Sequence, residues 1–404
     1  MLWSAAVPRP PQLAPTAAAI RGAVYSSLTD RVDPSQEIFP LHVGDTYLEP
    51  PPQCAASALT GAADLYRYTA TAGTGALREQ VAASVSSRTG QRLGAEDVYV
   101  TAGATAGLAA TLQALVEPGD EVLLLAPYWP LIEGMTRACG ARPVAAPIGD
   151  LEPSADPEAL IERLDGLCSQ RCVALYYSSP NNPTGRLFPA AWIEALALFA
   201  RRRDLWLLAD DVYDLYCYAG EHRSALGLAP ERTVVAYSAS KAYAMAGNRC
   251  GWLIAPQPAM GAIQKLGTHA FYSAPTFAQH ALARALESAD DWVAETREAY
   301  GRIGRRTAEI LGVPPPDGGT FLFLDVAACL GEGGLPELLE RCARSNLLLA
   351  PGPSFGPFPT SIRLCFTAAP PETIVRAAQR LAGLLGEAGS AAAEAAAATG
   401  GRAR

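Results

Sequence analysis

Between residues 98 and 255 short, almost continuous apolar runs alternate with longer stretches of helical period. That is the pattern of βαβ units feeding a parallel sheet whose strands are buried on both faces. The runs predict strands at 98–101, 121–125, 172–177, 205–209, 233–237 and 252–255. Each is followed closely by Gly, Pro, Ser, Asn or Asp, and in open parallel sheets ligands bind beyond the carboxyl ends of the strands. After Gly304 the pattern changes to a helix, strand-like runs at 320–324, 347–349 and 361–366, and a closing helix over 371–385. The expected fold is α/β: a large domain with a mostly parallel sheet flanked by helices, plus a smaller α+β domain. The expected divisions are 1–50 for an N-terminal arm and part of the small domain, 51–285 for the large domain, 286–385 for the C-terminal small domain and 386–404 for a flexible tail. Residues 1–20, rich in Ala and Pro without a sustained period, read as a loosely attached arm, and the Gly, Ala and Ser of the last residues read as a frayed end.

Composition narrows the function. The 404 residues exceed the usual single-core size, which supports two lobes. A net charge of −8 lacks the basic excess of a phosphate-backbone binder, so no nucleic-acid partner is expected. The longest apolar runs fall far short of the roughly 20 residues that cross a bilayer, and Pro8, Pro10, Pro11 and Pro15 interrupt any signal-like stretch. A cytoplasmic protein with no membrane contact is expected. Nine scattered cysteines, such as Cys365 between Leu364 and Phe366, read as reduced, buried thiols. Cys168 and Cys172 come closest to a metal pair, but with no second pair nearby and four histidines in the whole chain, no metal site is expected.

Four segments carry candidate chemistry. Ser238-Ala239-Ser240-Lys241 directly follows a strand, with Arg249 eight residues after the lysine, which places Lys241 at a strand's carboxyl edge. Leu208-Ala209-Asp210-Asp211-Val212-Tyr213 puts an acid at the end of an apolar strand, where it needs either a cationic partner or a helix N-terminus to cap. Ser178-Ser179-Pro180-Asn181-Asn182-Pro183-Thr184-Gly185 reads as a turn after a strand. Gly103-Ala104-Thr105-Ala106-Gly107 opens an apolar helix with small residues, whose free N–H groups and dipole favour an anion.

In combination, and in this order, the four segments with Tyr68 and Arg363 resemble the class I/II aminotransferases, the aspartate-aminotransferase-like superfamily of fold type I pyridoxal-phosphate enzymes. The resemblance runs from about Gly44 to Leu381. It implies that 51–285 binds pyridoxal 5'-phosphate and that Lys241 is both the lysine bonded to the cofactor aldehyde and the base at the substrate Cα. Asp210 matches the acid that keeps the pyridine nitrogen protonated, and Asn182 and Tyr213 match the pair on the ring's phenolic oxygen. Trp129, with Tyr128 as the one-residue-off alternative, matches the ring stacked on the pyridine. The phosphate falls to Gly103, Ala104, Thr105, Ser238, Ser240 and Arg249, with Tyr68 reaching it from a neighbouring subunit. Arg363 matches the fork that takes the substrate α-carboxylate, near Gly44 and Asn182.

The implied activity is transfer of the amino group of an L-amino acid to a 2-oxo acid by a homodimer with shared active sites. Elimination, cyclisation or oxidation at an amino acid by the same residues is the alternative, since all begin with Cα deprotonation. A transcription regulator on this fold needs a DNA-binding module, and the first 50 residues are Pro-interrupted and not basic. His42, His222, His269 and His280 receive no role, and nothing after Gly44 fixes side-chain specificity.

Overall fold

A computed structural model describes residues 12–20, 28–62, 64–151 and 156–400, with side chains through residue 388. Seven strands, β1 (Val98–Thr101), β2 (Glu121–Ala126), β3 (Arg142–Pro147), β4 (Cys172–Ser178), β5 (Trp206–Asp210), β6 (Thr233–Ser238) and β7 (Gly251–Ile254), form one sheet in the order β1-β7-β6-β5-β4-β2-β3. Only β7 runs antiparallel to its neighbours. Three more, β8 (Phe321–Asp325), β9 (Ala350–Pro351) and β10 (Ser361–Cys365), form an antiparallel sheet in the order β8-β10-β9. The mostly parallel α/β architecture with a smaller α+β part is thus the one expected from the sequence.

The period-2 alternation of the central strands decides which side chain meets which layer. Tyr176, Leu208, Val234 and Ala236 face one way, into a core with Leu108 of the helix Gly103–Leu115 and Ile263 of the helix Ala259–Phe271. Tyr177, Ala209, Val235 and Tyr237 face the other way, against Trp192 and Phe199 of the helix Ala190–Arg203. Burial on both faces is why these strands read as unbroken apolar runs. A third core joins Leu322 and Ile362 of the small sheet to Ile303 and Leu381 of the long helices, and to Phe39 and Leu41 from the N-terminal part of the chain.

Three features differ from the sequence expectation. The apolar pattern predicts no strand over 142–147, where Pro143 and Pro147 speak against one, yet β3 forms there because its position at the sheet edge tolerates them. The run at 347–349 does not enter the small sheet: Leu347 bridges Phe39, the Leu348 N–H donates to the Phe39 carbonyl at 3.0 Å, and the ladder to β10 starts at Ala350. The closing helix, Pro371–Gly400, runs well past residue 385. The Ala-rich segment continues an anchored helix and so needs no nucleus of its own. Of the arm, residues 12–20 form a short helix, Pro15–Ala18, beside the helix Pro130–Ala138; residues 1–11 and 401–404 lie outside the described part. Among the described residues no helix is long and apolar enough to cross a membrane.

The polar strand endings converge. Ser178 pairs with Asp210 across β4 and β5, and Gly251 pairs with both Ser238 of β6 and Thr101 of β1. A Cβ on Gly251 would lie 2.6 Å from the Ala104 nitrogen and 2.7 Å from the Tyr237 carbonyl oxygen, both backbone atoms that cannot swing aside. Gly251→Ala is therefore expected to destabilise the protein by about 1–3 kcal/mol, as overpacking does, and to displace the start of the helix Gly103–Leu115. Chemical denaturation checks the first effect, and an unchanged midpoint would contradict the close approach.

Candidate active site

The strand endings open into one cavity of about 940 Å³, closed on its far side by Phe321 and Arg363 of the small sheet. Every sequence candidate except Gly103, Tyr68 and the alternative Tyr128 lines it.

Lys241 sits in the single-turn helix Ala239–Ala242, whose N-cap Ser238 accepts a hydrogen bond from the Ser240 N–H at 3.1 Å. Its Nζ donates to the Gly44 carbonyl oxygen across the cavity. Burial holds the ammonium pKa below its ordinary value; Cys365 and Asp45 oppose this, and Arg363 and Arg249 add to it. A lysine in that setting readily gives up its charge.

Asp210 ends β5. Its Oδ2 accepts the Tyr176 hydroxyl at 2.7 Å, while Oδ1 is buried without a hydrogen-bond partner. Burial pushes the carboxyl up from 3.8 to about 7, and the neighbouring Asp211 adds to the rise against the pull of the Tyr176 bond. An orphaned carboxylate oxygen facing a cavity lacks a cationic N–H donor, and a pyridinium supplies one.

Arg363 is 2% exposed, with its guanidinium between the Phe321 and Phe355 rings at 4.2 and 4.8 Å from their centroids. Nη1 donates to Asn182 Oδ1 at 2.9 Å and Nη2 to the His42 carbonyl at 2.6 Å. Asn182 is thereby tied to Arg363, and its own N–H donates to Ser178 Oγ at 3.3 Å. Tyr213 is buried, packs edge-on to Phe321, and has its pKa raised by burial.

At the other end the helix Gly103–Leu115 starts without a side-chain cap, which leaves first-turn N–H groups available at Ala104 and Thr105. Gly103 has φ +79°, and a Cβ there would lie 2.6 Å from Arg249 Nη2, so glycine is what lets the guanidinium approach the helix N-terminus. Arg249 itself is left-handed at φ 54°, with Nη1 donating to the Ala246 carbonyl at 2.9 Å and reaching Ser240 Oγ at 3.5 Å. A free helix N-terminus, hydroxyls and a guanidinium together fit a phosphate. The residues present thus fit a phosphorylated pyridine carrying an aldehyde.

The structure separates the two aromatic alternatives. Tyr128 is buried with its hydroxyl donating to Glu133 at 2.9 Å, whereas Trp129 lines the cavity. Tyr68 lies outside it: the side chain is 85% exposed, with its ring edge-on to Tyr272 at 4.9 Å. Sequence reasoning missed Tyr176, Phe321, Phe355 and Ile20. A phenol inside an apolar run carries no signal of its own, though alternation puts Tyr176 and Asp210 on the same face of neighbouring strands.

The family model for aminotransferase class I and II matches residues 36–381. Among curated proteins, the arginine–pyruvate transaminase of Pseudomonas aeruginosa is 35% identical over 338 residues, covering 81% of this chain and 84% of that protein. The aspartate/prephenate aminotransferase of Thermus thermophilus is 32% identical, covering 80% and 84%. Among solved structures, the aspartate aminotransferase from Thermus thermophilus with maleate superposes with a TM-score of 0.84 at 29% identity, over 93% of this chain and all of that one.

The raised Asp210 carboxyl makes a stability prediction for the cofactor-free protein. Between 3.8 and about 7 the folded state holds a proton that the unfolded chain has lost, so stability falls as pH rises through that window. Asp210→Asn abolishes this dependence. The variant's stability relative to wild type should improve by about 2–3 kcal/mol from about pH 5 to about pH 8, measured by urea denaturation. A pH-independent difference would contradict a raised carboxyl.

Proposed function

Because this chain belongs to the class I and II aminotransferases, we propose that its cavity holds pyridoxal 5'-phosphate and that Lys241, Asp210 and Arg363 divide the work of the reaction among them. The enzyme is an aminotransferase that moves the amino group of an amino acid to a 2-oxo acid. The observation that carries the division of roles is that the depressed Lys241 amine, the orphaned Asp210 oxygen and the clamped Arg363 guanidinium all face one cavity.

When bound, the cofactor supplies an aldehyde for the amine and a ring that draws electrons from the substrate Cα. Asp210 Oδ1 holds the proton on the ring nitrogen. Ala104, Thr105, Ser238, Ser240 and Arg249 hold the phosphate, with Gly103 making room for the guanidinium. Trp129 packs on the ring face, and Tyr213 with Asn182 holds the phenolic oxygen. Arg363 binds the substrate carboxylate in a two-pronged contact, for which the rings of Phe321 and Phe355 fix the plane of the fork. Lys241 Nζ, uncharged once displaced, takes the Cα proton and returns it. Gly44 brings the chain close enough for its carbonyl to hold the lysine while the amine is not bonded to the cofactor.

The wall nearest the helix Pro130–Ala138, where Leu131 and Met135 stand with Ile20 and the Glu133–Arg137 ion pair, supports a reading in which the substrate side chain lies there. The relatives named above are named for different amino acids, so a donor screen is the experiment that identifies the substrate. A screen of L-amino acids against pyridoxal-phosphate-loaded enzyme, without an acceptor, should release one 2-oxo acid per site for the true donor. Release of ammonia instead would mean elimination or oxidation.

Lys241→Ala is expected to bring turnover below detection while the protein stays folded, and borohydride reduction of the loaded wild type should attach the cofactor to the peptide containing Lys241. Attachment at another lysine would remove it from the mechanism.

We further propose a homodimer in which Tyr68 reaches the phosphate in the partner's site, since its exposed ring has no place in the cavity of its own chain. Mixing Lys241→Ala with Tyr68→Ala chains then puts both defects in one site and frees the other. Activity should recover to about a quarter of wild type after subunit exchange. Exchange without recovery would place Tyr68 in its own chain's site.

A further inference from the structure

Asp210 and Asp211 are adjacent acids at the end of β5, and alternation sends them to opposite faces of the sheet. Asp210 turns to the cavity side with Tyr176; Asp211, whose N–H continues the ladder by donating to the Ala236 carbonyl at 3.0 Å, turns to the side of Tyr177 and Tyr237. Asp211 is 0% exposed, and neither of its oxygens makes a hydrogen bond. Among the described residues one side chain able to carry a positive charge stands within ion-pair distance of it: His222, whose Nε2 lies 3.3 Å from Oδ2 and makes no hydrogen bond, in a side chain 12% exposed. The other groups around Asp211 bring no positive charge to it. Tyr177 on β4, Tyr237 on β6 and the Cys217 thiol are all pushed toward their neutral forms, mainly by burial. The Tyr177 hydroxyl is buried without a partner. Arg88 lies over the Tyr237 ring but is spent on an ion pair with Asp214, and Arg297 is felt at Cys217.

A buried carboxylate with no counter-charge costs several kcal/mol, and here it would also sit one residue from the acid the reaction needs ionised. Two uncompensated neighbouring carboxylates oppose each other's ionisation. We propose that His222 and Asp211 form a buried imidazolium–carboxylate pair behind the sheet, which offsets part of the Asp211 charge and so eases the ionisation of Asp210, the acid that holds the proton on the cofactor's ring nitrogen. His222 is then a positioning residue that acts through Asp211 on Asp210, and it ties the loop bearing it to the back of the site. The inference rests on the role proposed above for Asp210.

The test uses full-length protein and follows Asp210 directly, by carboxyl ¹³C NMR titration of the cofactor-free form with Asp210→Asn as the assignment control. His222→Gln should raise the Asp210 midpoint by about one pH unit and weaken pyridoxal-phosphate binding about tenfold. Adding Asp211→Asn to His222→Gln removes the unpaired charge and should restore both values to near wild type. His222→Lys, which keeps a cation, should hold the wild-type midpoint and serves if the Gln variant does not fold. A midpoint unmoved by His222→Gln, a double variant no better than the single one, or a Lys variant shifted like Gln would overturn the inference. If wild type itself fails to bind pyridoxal phosphate, it is the role of Asp210 that falls, whereas normal wild-type binding with an unmoved midpoint in His222→Gln removes only the role of His222.

Discussion

One buried carboxylate oxygen without a partner organises the rest of this molecule. A carboxyl at the end of a central parallel strand is surrounded by backbone already committed to the sheet and by apolar layers on both sides, so it has few donors to find. Tyr176 satisfies one oxygen of Asp210, and the other is buried at the cavity wall without a hydrogen-bond partner. That leaves the acid poised between protonation states and specific for a ligand that brings its own N–H cation. Filling the gap with a protein donor would stabilise the fold and end the site's capacity to bind.

The same economy of space governs the two other anchors. Gly103 and Gly251 lie where a single methyl group would collide, with a guanidinium at the first and with backbone at the second. The backbone contact at Gly251 lets the start of the helix Gly103–Leu115 lie directly against the strands beside the lysine-bearing turn. Across the cavity, a Cβ on Gly44 would meet the Phe321 ring at 2.6 Å, and Phe321 is one of the two rings that hold Arg363. The small sheet thus enters the site through Phe321 and Arg363, which meet Gly44, Tyr213 and Asn182.

What the sequence made legible follows the same physics. Strands 121–125, 172–177 and 233–237 were readable because burial on both faces forces continuous apolar runs, and the lysine, acid and turn motifs were readable because each ends such a run. Edge strand β3 was not, since its prolines are tolerated only by a position in the sheet that no local pattern announces. Tyr176 and the ring pair around Arg363 act through contacts between distant segments, 34 residues apart for Tyr176 and Asp210, and a phenylalanine bound for a cation looks like one bound for a core. Of the four histidines set aside, His222 is the one the fold carries to a buried acid, and nothing around it in the chain marks it.

The chain carries −8 overall, yet the cavity gathers Arg249, Arg363 and Lys241 around its reacting end, and Arg249 has only neutral oxygens within hydrogen-bond reach among the described residues. An acidic surface repels carboxylates and phosphates at long range, an effect that salt screens beyond about 10 Å. Inside the cavity, low-dielectric walls strengthen the opposite attraction. Substrate and cofactor anions are therefore held by the cations of this cavity despite the net negative charge of the chain. Asp210 and the Glu133–Arg137 pair set where within it each charge comes to rest.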